Sequence, residues 1–328
     1  MTGTGGGTIS VALCTYNGAS FVADQLRSIL NQDTLPLEIV IADDGSTDAT
    51  LAIINQIARG YAGPTEIRLV DTDRVGGVTQ NFDRAIGQCR GDIVVLCDQD
   101  DTWEPQKLAV LGQAFSGAAT PRLVFSDATL IDDTGARLPG TLHESLLLGR
   151  RERAELRSGR AFDLLIRRNV VTGAVAAFSR DLYARATPFP ASWVHDEWLA
   201  IIASVVGDVV LIEQALVNYR LHAANQIGVA DPGVASRIGR MLQPRGDRYL
   251  RLRRRSGDLV ERLESLAAPA DTLAIARRKL EFESSRAAYP RSRIRRLGPV
   301  LRLLAKGSYA RYSSQRRLDS VRDVLQPA

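Results

Sequence analysis

The most constraining feature of the chain is an apolar run that ends in a cluster of carboxylates. Residues 93–97 read Ile-Val-Val-Leu-Cys, and Asp98-Gln99-Asp100-Asp101 follow directly. A short, mostly β-branched run bounded by turn residues predicts a strand buried on both faces. Ionised carboxylates cannot share that burial without a partner, because desolvation opposes it. The three aspartates are therefore expected in a loop at the carboxyl end of a buried strand, where open α/β sheets bind ligands.

Two interpretations of this acidic loop are open from its residues alone. Asp98 and Asp100 form a pair suited to a divalent cation, since hard cations prefer oxygen ligands. The alternative is a solvated turn in which Asp101 or Thr102 caps a helix that begins near residues 104–105.

Strands and helices alternate along the first hundred residues. Strand patterns occupy residues 8–14, 37–42, 66–70 and 92–97, and helical spacing fills the segments between them. This alternation predicts an α/β fold with a doubly wound, mostly parallel sheet flanked by helices. Such a sheet brings four acidic or Gly-rich loops to one edge, at residues 15–18, 43–47, 71–77 and 98–101. Ser46 or Thr47 is expected to cap the second helix.

The next part of the chain predicts a less regular arrangement. Residues 122–131 indicate a strand bent at Asp127, and the polar residues 140–160 indicate a mobile loop over the site. Further strands are predicted at 170–178, 209–212 and 215–219, with helices at 180–186 and after residue 198. Long helices are predicted at 249–266, 272–288 and 294–304.

Charge is distributed unevenly along the chain. Residues 235–328 contain 23 Arg and Lys against 9 Asp and Glu, a net of +14, whereas residues 1–234 contain 19 against 28, a net of −9. Such asymmetry predicts an anionic surface as a partner of the C-terminal part. The mixture of Leu and Arg at 294–304 is typical of a helix lying on an anionic membrane, or else of one packed on the main domain with its basic side solvated.

Several classes of protein are excluded by what the sequence lacks. No uncharged apolar run reaches 18 residues, and residues 1–7 predict a disordered tail rather than a signal peptide. The Gly5-Gly6-Gly7 run precedes the first strand, which excludes a dinucleotide fingerprint, and no P-loop motif occurs. Of Cys14, Cys89 and Cys97, the two in apolar strand patterns, Cys14 and Cys97, are expected as buried free thiols, and the odd number of cysteines without metal-ligand spacing favours a reducing cytoplasm.

Five motifs in order resemble the family 2 glycosyltransferases. They are Thr15-Tyr16-Asn17-Gly18, Asp43-Asp44-Gly45-Ser46-Thr47-Asp48, Asp98-Gln99-Asp100-Asp101, His195-Asp196-Glu197-Trp198-Leu199 and Tyr219-Arg220-Leu221-His222-Ala223-Ala224-Asn225. The last two look most like the rhamnosyltransferase-like branch, which builds bacterial polysaccharides. The resemblance is close over residues 8–230. It implies the GT-A fold and inverting sugar transfer from a nucleotide sugar with Mg²⁺ or Mn²⁺.

The resemblance also implies roles for individual residues. The nucleotide sugar would be bound by Thr15, Tyr16, Asn17, Asp43, Asp44, Gly76, Gly77, Asp98 and Arg220. The metal would be held by Asp100, Asp98 and His222, and Asp196 would be the catalytic base. Trp198, Glu197 and Trp193 would contact the acceptor. Related sequences often carry Trp in place of Glu197 and Gly in place of Ala223, which leaves the role of Glu197 open.

Plainer structural roles are also open for the fourth motif. Trp198 could belong to the core, His195 could be a structural hydrogen-bonding residue, and Asp196 could cap the helix that follows.

The resemblance implies a domain organisation and a setting. Residues 8–234 would form the catalytic domain, with a nucleotide-binding half at 8–101 and an acceptor half at 102–234. Residues 235–328 would form an Arg-rich helical extension. The partners implied are a dTDP- or UDP-linked donor, with dTDP-rhamnose favoured, and a glycan or glycolipid acceptor. The enzyme would work in the cytoplasm at the inner face of the membrane.

Two other functions are compatible with parts of the sequence. A nucleotidyltransferase shares the layered sheet, but its Gly-rich basic loop after the first strand is replaced here by Asn17-Gly18. A nucleic-acid-binding protein would use the basic C-terminal region, but no recognition motif accompanies it.

Overall fold

The structure, a computed structural model, describes residues 7–70, 74–119, 121–222 and 244–327. Almost all of the predicted tail, the first residues of the third loop and the Ala223-Ala224-Asn225 end of the last motif lie outside the described residues. The chain divides into two compact units. The first comprises Met1–Gly159 and Val170–Val229, and the second comprises Arg160–Asn169 and Ala230–Ala328.

The first unit is built on one nine-stranded sheet. Its strands are β1 (Ile9–Thr15), β2 (Glu38–Asp43), β3 (Glu66–Leu69), β4 (Ile93–Cys97), β5 (Thr102–Trp103), β6 (Arg122–Ile131), β7 (Arg137–Thr141), β8 (Ala176–Ser179) and β9 (Asp208–Arg220). Their order in the sheet is β3-β2-β1-β4-β8-β6-β9-β5, and β7 pairs with β6.

Parallel pairing is concentrated in the first four strands. β1 pairs in parallel with β2 and β4, and β2 pairs in parallel with β3. Every residue of β1, β2 and β4 is buried, as expected for strands covered on both faces. β8 is antiparallel to both β4 and β6, whereas β6 and β9 are parallel. The predicted α/β sheet with flanking helices is confirmed, and its second half is mixed.

Eight helices of the first unit flank or follow these strands in the described ranges. They are α1 (Val22–Leu30), α2 (Thr50–Gly60), α3 (Val78–Gly87), α4 (Lys107–Phe115), α5 (Leu142–Ser145), α6 (Arg150–Arg157), α8 (Arg180–Ala186) and α9 (His195–Val206). A 3₁₀ turn occupies Gly173–Val175, and α7 (Ala161–Leu165) falls within the second unit.

The structure corrects several predictions about local structure. Ser46 and Thr47 do not cap α2, because that helix begins four residues after Ser46 and its N-cap is Ala49. Neither Asp101 nor Thr102 caps α4, whose N-cap is Gln106. The segment predicted as a strand at 170–178 is strand only from Ala176, after the 3₁₀ turn.

The prediction of a mobile loop at 140–160 is also wrong. Its residues form the end of β7 and the helices α5 and α6, and α5 begins with a capping box between Thr141 and Glu144. Arg153 and Arg157 of α6 both pair with Glu213 on β9. Because Glu213 is distant in sequence, the residues of α6 alone do not reveal this stabilisation. The strands predicted at 209–212 and 215–219 are one strand, β9.

Two finer predictions are confirmed. The bend at Asp127 appears as a register shift between β6 and β9 at that residue. Cys14, Cys89 and Cys97 are buried free thiols, and burial raises the pKa of Cys89 to about 12.

The second unit contains five helices within residues 244–327. They are α10 (Arg248–Ser265), α11 (Ala270–Ala287), α12 (Arg293–Ala305), α13 (Ser308–Tyr312) and α14 (Leu318–Leu325). Its core combines an aromatic cluster with a buried ion pair. The cluster comprises Phe282, Tyr289, Val300, Tyr309 and Tyr312. The Asp323 carboxylate accepts hydrogen bonds from Arg286 at 2.7 and 3.0 Å and from Tyr249 at 2.6 Å. No helix in the described ranges combines the length and apolar character needed to cross a bilayer.

Candidate active site

The loops after β1 and β2 are joined by side-chain hydrogen bonds. Thr15 Oγ1 donates to Asp43 Oδ2 at 2.6 Å, and the Asn17 backbone N–H donates to Ser46 Oγ at 2.8 Å. Asp43 also accepts from the Ser46 backbone and hydroxyl, at 2.7 and 2.6 Å. The oxygens of Asp43 are therefore engaged in holding the two loops together.

The acidic loop after β4 is tied to the first loop through Gln99. Its Oε1 accepts from the Tyr16 backbone N–H at 2.8 Å, and its Nε2 donates to the Tyr16 carbonyl at 3.0 Å. A Cβ at Gly18 would collide with the Gln99 amide, so the amide would have to leave its present position beside Tyr16. Tyr16 keeps an exposed side chain, with the Arg74 guanidinium 5.8 Å from its ring centre.

The loop after β3 closes onto Asp44. Asp44 Oδ1 accepts from the backbone N–H groups of Val75 at 2.6 Å and Gly76 at 2.9 Å, and Oδ2 accepts from Gly77 at 3.2 Å. Gly76 has φ +75°, a left-handed conformation that favours glycine. Asp44 thus organises the Gly-rich loop. The predicted convergence of four loops at one sheet edge is confirmed for the described residues.

The end of β9 brings two basic residues to the acidic loop. His222 Nε2 lies 2.9 Å from Asp100 Oδ2, and its ring stacks on Phe21 with centres 5.2 Å apart. The Arg220 backbone N–H donates to Asp101 Oδ1 at 2.9 Å, and its Nε donates to the Asp100 carbonyl at 2.7 Å. Arg220 therefore fixes the conformation of the loop that carries the aspartates.

The aspartates form a crowded cluster of negative charge. Desolvation and the charges of Asp100 and Asp196 raise the pKa of Asp98 to about 7, although part of its side chain still reaches solvent. Desolvation and the charges of Asp100 and Asp98 hold the pKa of Asp101 well above its usual range. Asp101 Oδ2 is buried without a hydrogen-bond partner among the described residues. Burial and mutual repulsion therefore oppose the full ionisation of the cluster.

These residues fit a divalent cation by their chemistry. Carboxylate oxygens and an imidazole suit Mg²⁺ or Mn²⁺, and a cation would relieve the repulsion within the cluster. Over the part of the chain that the structure describes, however, no group of three or more His, Cys, Asp and Glu side chains forms a metal site. Of the predicted ligands, Asp100 and His222 are in direct contact.

A buried lysine faces the cluster and was not among the predicted site residues. Lys107 Nζ donates to the Ala174 carbonyl at 3.0 Å and lies 3.7 Å from the centre of the Trp103 ring. Desolvation lowers its pKa to about 7, against the opposing attraction of Cys97, Asp101 and Asp98. The only feature of the sequence that could have drawn attention to Lys107 is the rarity of lysine, since the chain has three.

Asp196 lies in the first turn of α9 and is buried. Its Oδ2 accepts from the Gly173 backbone N–H at 2.9 Å, and its Oδ1 accepts from the Glu197 N–H at 2.6 Å. Asp196 is not the N-cap, because α9 begins at His195 and the N-cap is Val194. Desolvation, with a smaller contribution from Glu197, raises the pKa of Asp196 to about 7. The charge of Asp196 also contributes to the raised pKa of Asp98, after desolvation and the charge of Asp100.

The aromatic residues of this segment divide between core and surface. Trp198 is buried and its indole N–H donates to the Ala186 carbonyl at 2.8 Å, so its side chain belongs to the core. Trp193 is half-buried against it, with ring centres 5.3 Å apart, and Glu197 is half-buried. His195 stacks on Phe82 at 4.0 Å.

His195 is not the hydrogen-bonding residue that the sequence suggested. Neither ring nitrogen has a hydrogen-bond partner within the described part of the chain. Burial lowers the pKa of His195 to about 3, so the imidazole is neutral at physiological pH.

Comparison with known proteins assigns the chain to a family. Residues 10–181 match the family model described as Glycosyl transferase family 2. The uncharacterised protein Rv1520 of Mycobacterium tuberculosis is 28% identical over 219 residues, which is 66% of this chain and 59% of that protein. The dTDP-rhamnosyl transferase RfbG of Shigella flexneri is 35% identical over 99 residues, 29% of this chain and 34% of that protein.

The fold has a clear counterpart among solved structures. S. aureus TarS residues 1–349 in complex with UDP-GlcNAc superposes with a TM-score of 0.57 at 16% identity, covering 97% of this chain and 90% of that chain. The fold is therefore the GT-A fold. The chain belongs to glycosyl transferase family 2. It spans 59% of the length of its mycobacterial relative.

Proposed function

We propose that the chain is a glycosyltransferase that inverts the configuration at the anomeric carbon, with Asp196 as the general base. The observation that carries the proposal is the burial of Asp196, whose carboxylate is held by the Gly173 N–H at 2.9 Å and whose pKa is raised to about 7 by desolvation. A base with a pKa near the working pH is suited to take a proton from an acceptor hydroxyl. A single displacement needs one such base, because the acceptor oxygen attacks opposite the leaving diphosphate.

Asp196 would take the acceptor proton as the acceptor oxygen bonds to the anomeric carbon and the diphosphate leaves. The Gly173 N–H, bonded to Oδ2, would keep the carboxylate oriented during this transfer. Glu197 and Trp193 are the proposed acceptor contacts, since both retain some exposure. Trp198 is left out of this role because its indole is committed to the core.

The donor is proposed to lie over the converging loops. Thr15, Tyr16, Asn17, Asp43, Asp44, Gly76 and Gly77 would surround the nucleoside, and Asp98 and Arg220 would lie towards the ribose and diphosphate. Mg²⁺ or Mn²⁺, when bound, would neutralise charge on the leaving diphosphate. Asp100, Asp98 and His222 would hold the metal, and the contact between Asp100 and His222 supports this set.

A dTDP- or UDP-linked sugar is the proposed donor, with dTDP-rhamnose first among candidates. The partial similarity to a dTDP-rhamnosyl transferase and the fold shared with a protein that binds UDP-GlcNAc support this choice. The acceptor is proposed to be a lipid-linked or surface glycan, elongated at the inner face of the cell membrane. Residues 8–234 would form the catalytic domain, divided at residue 101 into donor and acceptor halves, with 235–328 as a helical extension.

A thermal-shift screen of nucleotide sugars with Mn²⁺ tests the donor assignment. The true donor binds the folded state and raises Tm by mass action. We expect stabilisation by dTDP- or UDP-linked sugars and no shift with GDP-linked sugars. A shift confined to GDP- or CMP-linked sugars would contradict the assignment.

A further inference from the structure

Over residues 291–327 the surface carries positive charge, and the aspartates of this range are not exposed. Asp319 and Asp323 are the acidic residues of 291–327, and both are buried. Asp319 accepts from Ser314 Oγ and the Gln315 N–H, both at 3.2 Å, while Asp323 is bonded to Arg286. The exposed basic side chains of this region include Arg293, Arg295, Arg302, Lys306 and Arg317. These arginines and lysines therefore have no acidic neighbours on the surface of their own segment.

Helix α12 presents an apolar row to solvent. Ile294 is 79% exposed and Leu301 62% exposed, and Leu297 between them is also exposed. Their spacing of three and four residues places them on one face of the helix. The opposite face is buried through Arg296 and Val300. The exposed leucines are therefore not needed for the core of the unit.

Helix α14 repeats this arrangement. Leu318 is 64% exposed, and Val321 and Leu325 follow it on the same face. The opposite face is buried through the two carboxylates, Asp319 and Asp323.

A buried arginine joins the two helices. Arg296 of α12 donates from Nη1 to the carbonyl of Gln326 at 2.6 Å and to that of Asp323 at 3.3 Å. These carbonyls lie at the C-terminal end of α14, where main-chain acceptors are left without helical partners and a cation is favoured. The contact links the two amphipathic helices to each other within the second unit.

We propose that α12 and α14 together form a docking surface for an anionic lipid membrane. Exposed Ile and Leu side chains would enter the acyl boundary, and the surrounding arginines would contact lipid phosphates. A nucleic acid would engage the arginines but leave six apolar side chains in water, so a lipid surface accounts for more of the observed features. The inference deepens the proposed function and rests on it for the lipid-linked acceptor, whereas the binding itself requires no substrate.

Vesicle flotation with the full chain tests this proposal. Vesicles of phosphatidylcholine containing phosphatidylglycerol are compared with vesicles of phosphatidylcholine alone, at low and high salt. We expect binding to the anionic vesicles that weakens with salt. The double variant Leu297→Gln/Leu301→Gln should bind about tenfold more weakly, because its apolar contribution is lost. Arg295→Gln/Arg302→Gln should reduce both the binding and its salt dependence.

Leu250→Gln is the matched control, since Leu250 is also exposed, lies in an Arg-rich helix of the same unit and is outside the proposed surface. It should bind like the unchanged protein, and equal Tm values should show that all variants are folded. Equal loss in Leu250→Gln, or binding unaffected by the α12 changes, would overturn the proposal. Preferential binding to RNA that is insensitive to the leucine changes would overturn it in favour of a nucleic-acid partner. Donor binding by thermal shift is measured separately, so failure of either proposal is recognised independently.

Discussion

The backbone N–H of Gly173 donates a hydrogen bond of 2.9 Å to Oδ2 of Asp196. The neighbouring Ala174 carbonyl accepts from Lys107, so one short 3₁₀ turn connects the buried lysine to the proposed base. A Cβ on Gly173 would lie 3.1 Å from His195 Nε2 and 3.8 Å from Asp196 Cβ. The orientation of the base therefore depends on a residue without a side chain.

Gly173→Ala is expected to disturb the base without removing it. The added methyl must displace His195 or the turn, at a cost of about 1–3 kcal/mol in stability. Turnover should fall while donor affinity is retained. Gly149→Ala is the control, because a Cβ there meets no atom within 4 Å. Parallel kinetics and thermal melts check this, and unchanged turnover in Gly173→Ala would show that the turn does not position Asp196.

The rate of transfer should depend on pH through Asp196. A general base acts in its deprotonated form, and burial raises the pKa of this carboxyl to about 7. We therefore expect kcat/KM to rise with pH through about 7 and to level off above it. A profile that is flat between pH 5 and pH 9 would contradict the assignment.

Lys107→Met should separate catalysis from cation binding. Loss of the ammonium removes the contact with Ala174 and leaves the aspartate cluster more negative. Turnover should fall by about tenfold or more as the base loses its support, whereas affinity for Mn²⁺ should hold or increase. Lys279→Met is the matched control, since Lys279 is also buried but belongs to the second unit, where it pairs with Glu283 at 2.7 Å. Lys279→Met should lower Tm but leave turnover and Mn²⁺ affinity unchanged. A loss of Mn²⁺ affinity in Lys107→Met would contradict this prediction.

His195 should make the protein less stable as pH falls. Burial lowers its folded pKa to about 3, whereas an unfolded histidine titrates near 6.5. Below pH 6.5 the unfolded state binds a proton that the folded state excludes, so stability declines as pH falls. At pH 5 the burial of neutral His195 lowers the free energy of unfolding by about 2 kcal/mol relative to neutral pH. His195→Phe should remove it, so its unfolding free energy should fall less between pH 7 and pH 5 than that of the unchanged protein. Equal slopes by denaturant titration would contradict the prediction.

The sequence was sufficient to locate the edge of the sheet that holds the candidate site. Parallel strands with apolar runs must place their loops together, and the hydrogen bond between Thr15 and Asp43 is the direct result. The contacts that refine the site were not predictable, because each joins residues far apart in sequence. Lys107 and Ala174 are 67 positions apart, and Gln99 and Tyr16 are 83 apart. Periodicity identifies buried faces but does not identify which buried polar groups meet.

The same limit explains the error at 140–160 and the choice that the sequence left open at Trp198. Helix α6 is stabilised partly by pairs with Glu213 on a later strand, which short-range periodicity does not register. The choice between core and surface for Trp198 is decided by the Ala186 carbonyl, which lies at the end of the preceding helix. The local sequence left both the core and the surface position open for Trp198, and a tertiary contact selects the core.

The most direct measurement is the transfer rate of Asp196→Asn, made alongside donor binding by the same protein. Asparagine keeps the shape and can still accept from Gly173, but it cannot take up a proton. The account predicts that transfer falls by at least about a hundredfold while donor binding and Tm are retained. Asp181→Asn, at an exposed position in the first turn of α8, should match the unchanged enzyme. Transfer by Asp196→Asn at the rate of the unchanged enzyme would contradict the account.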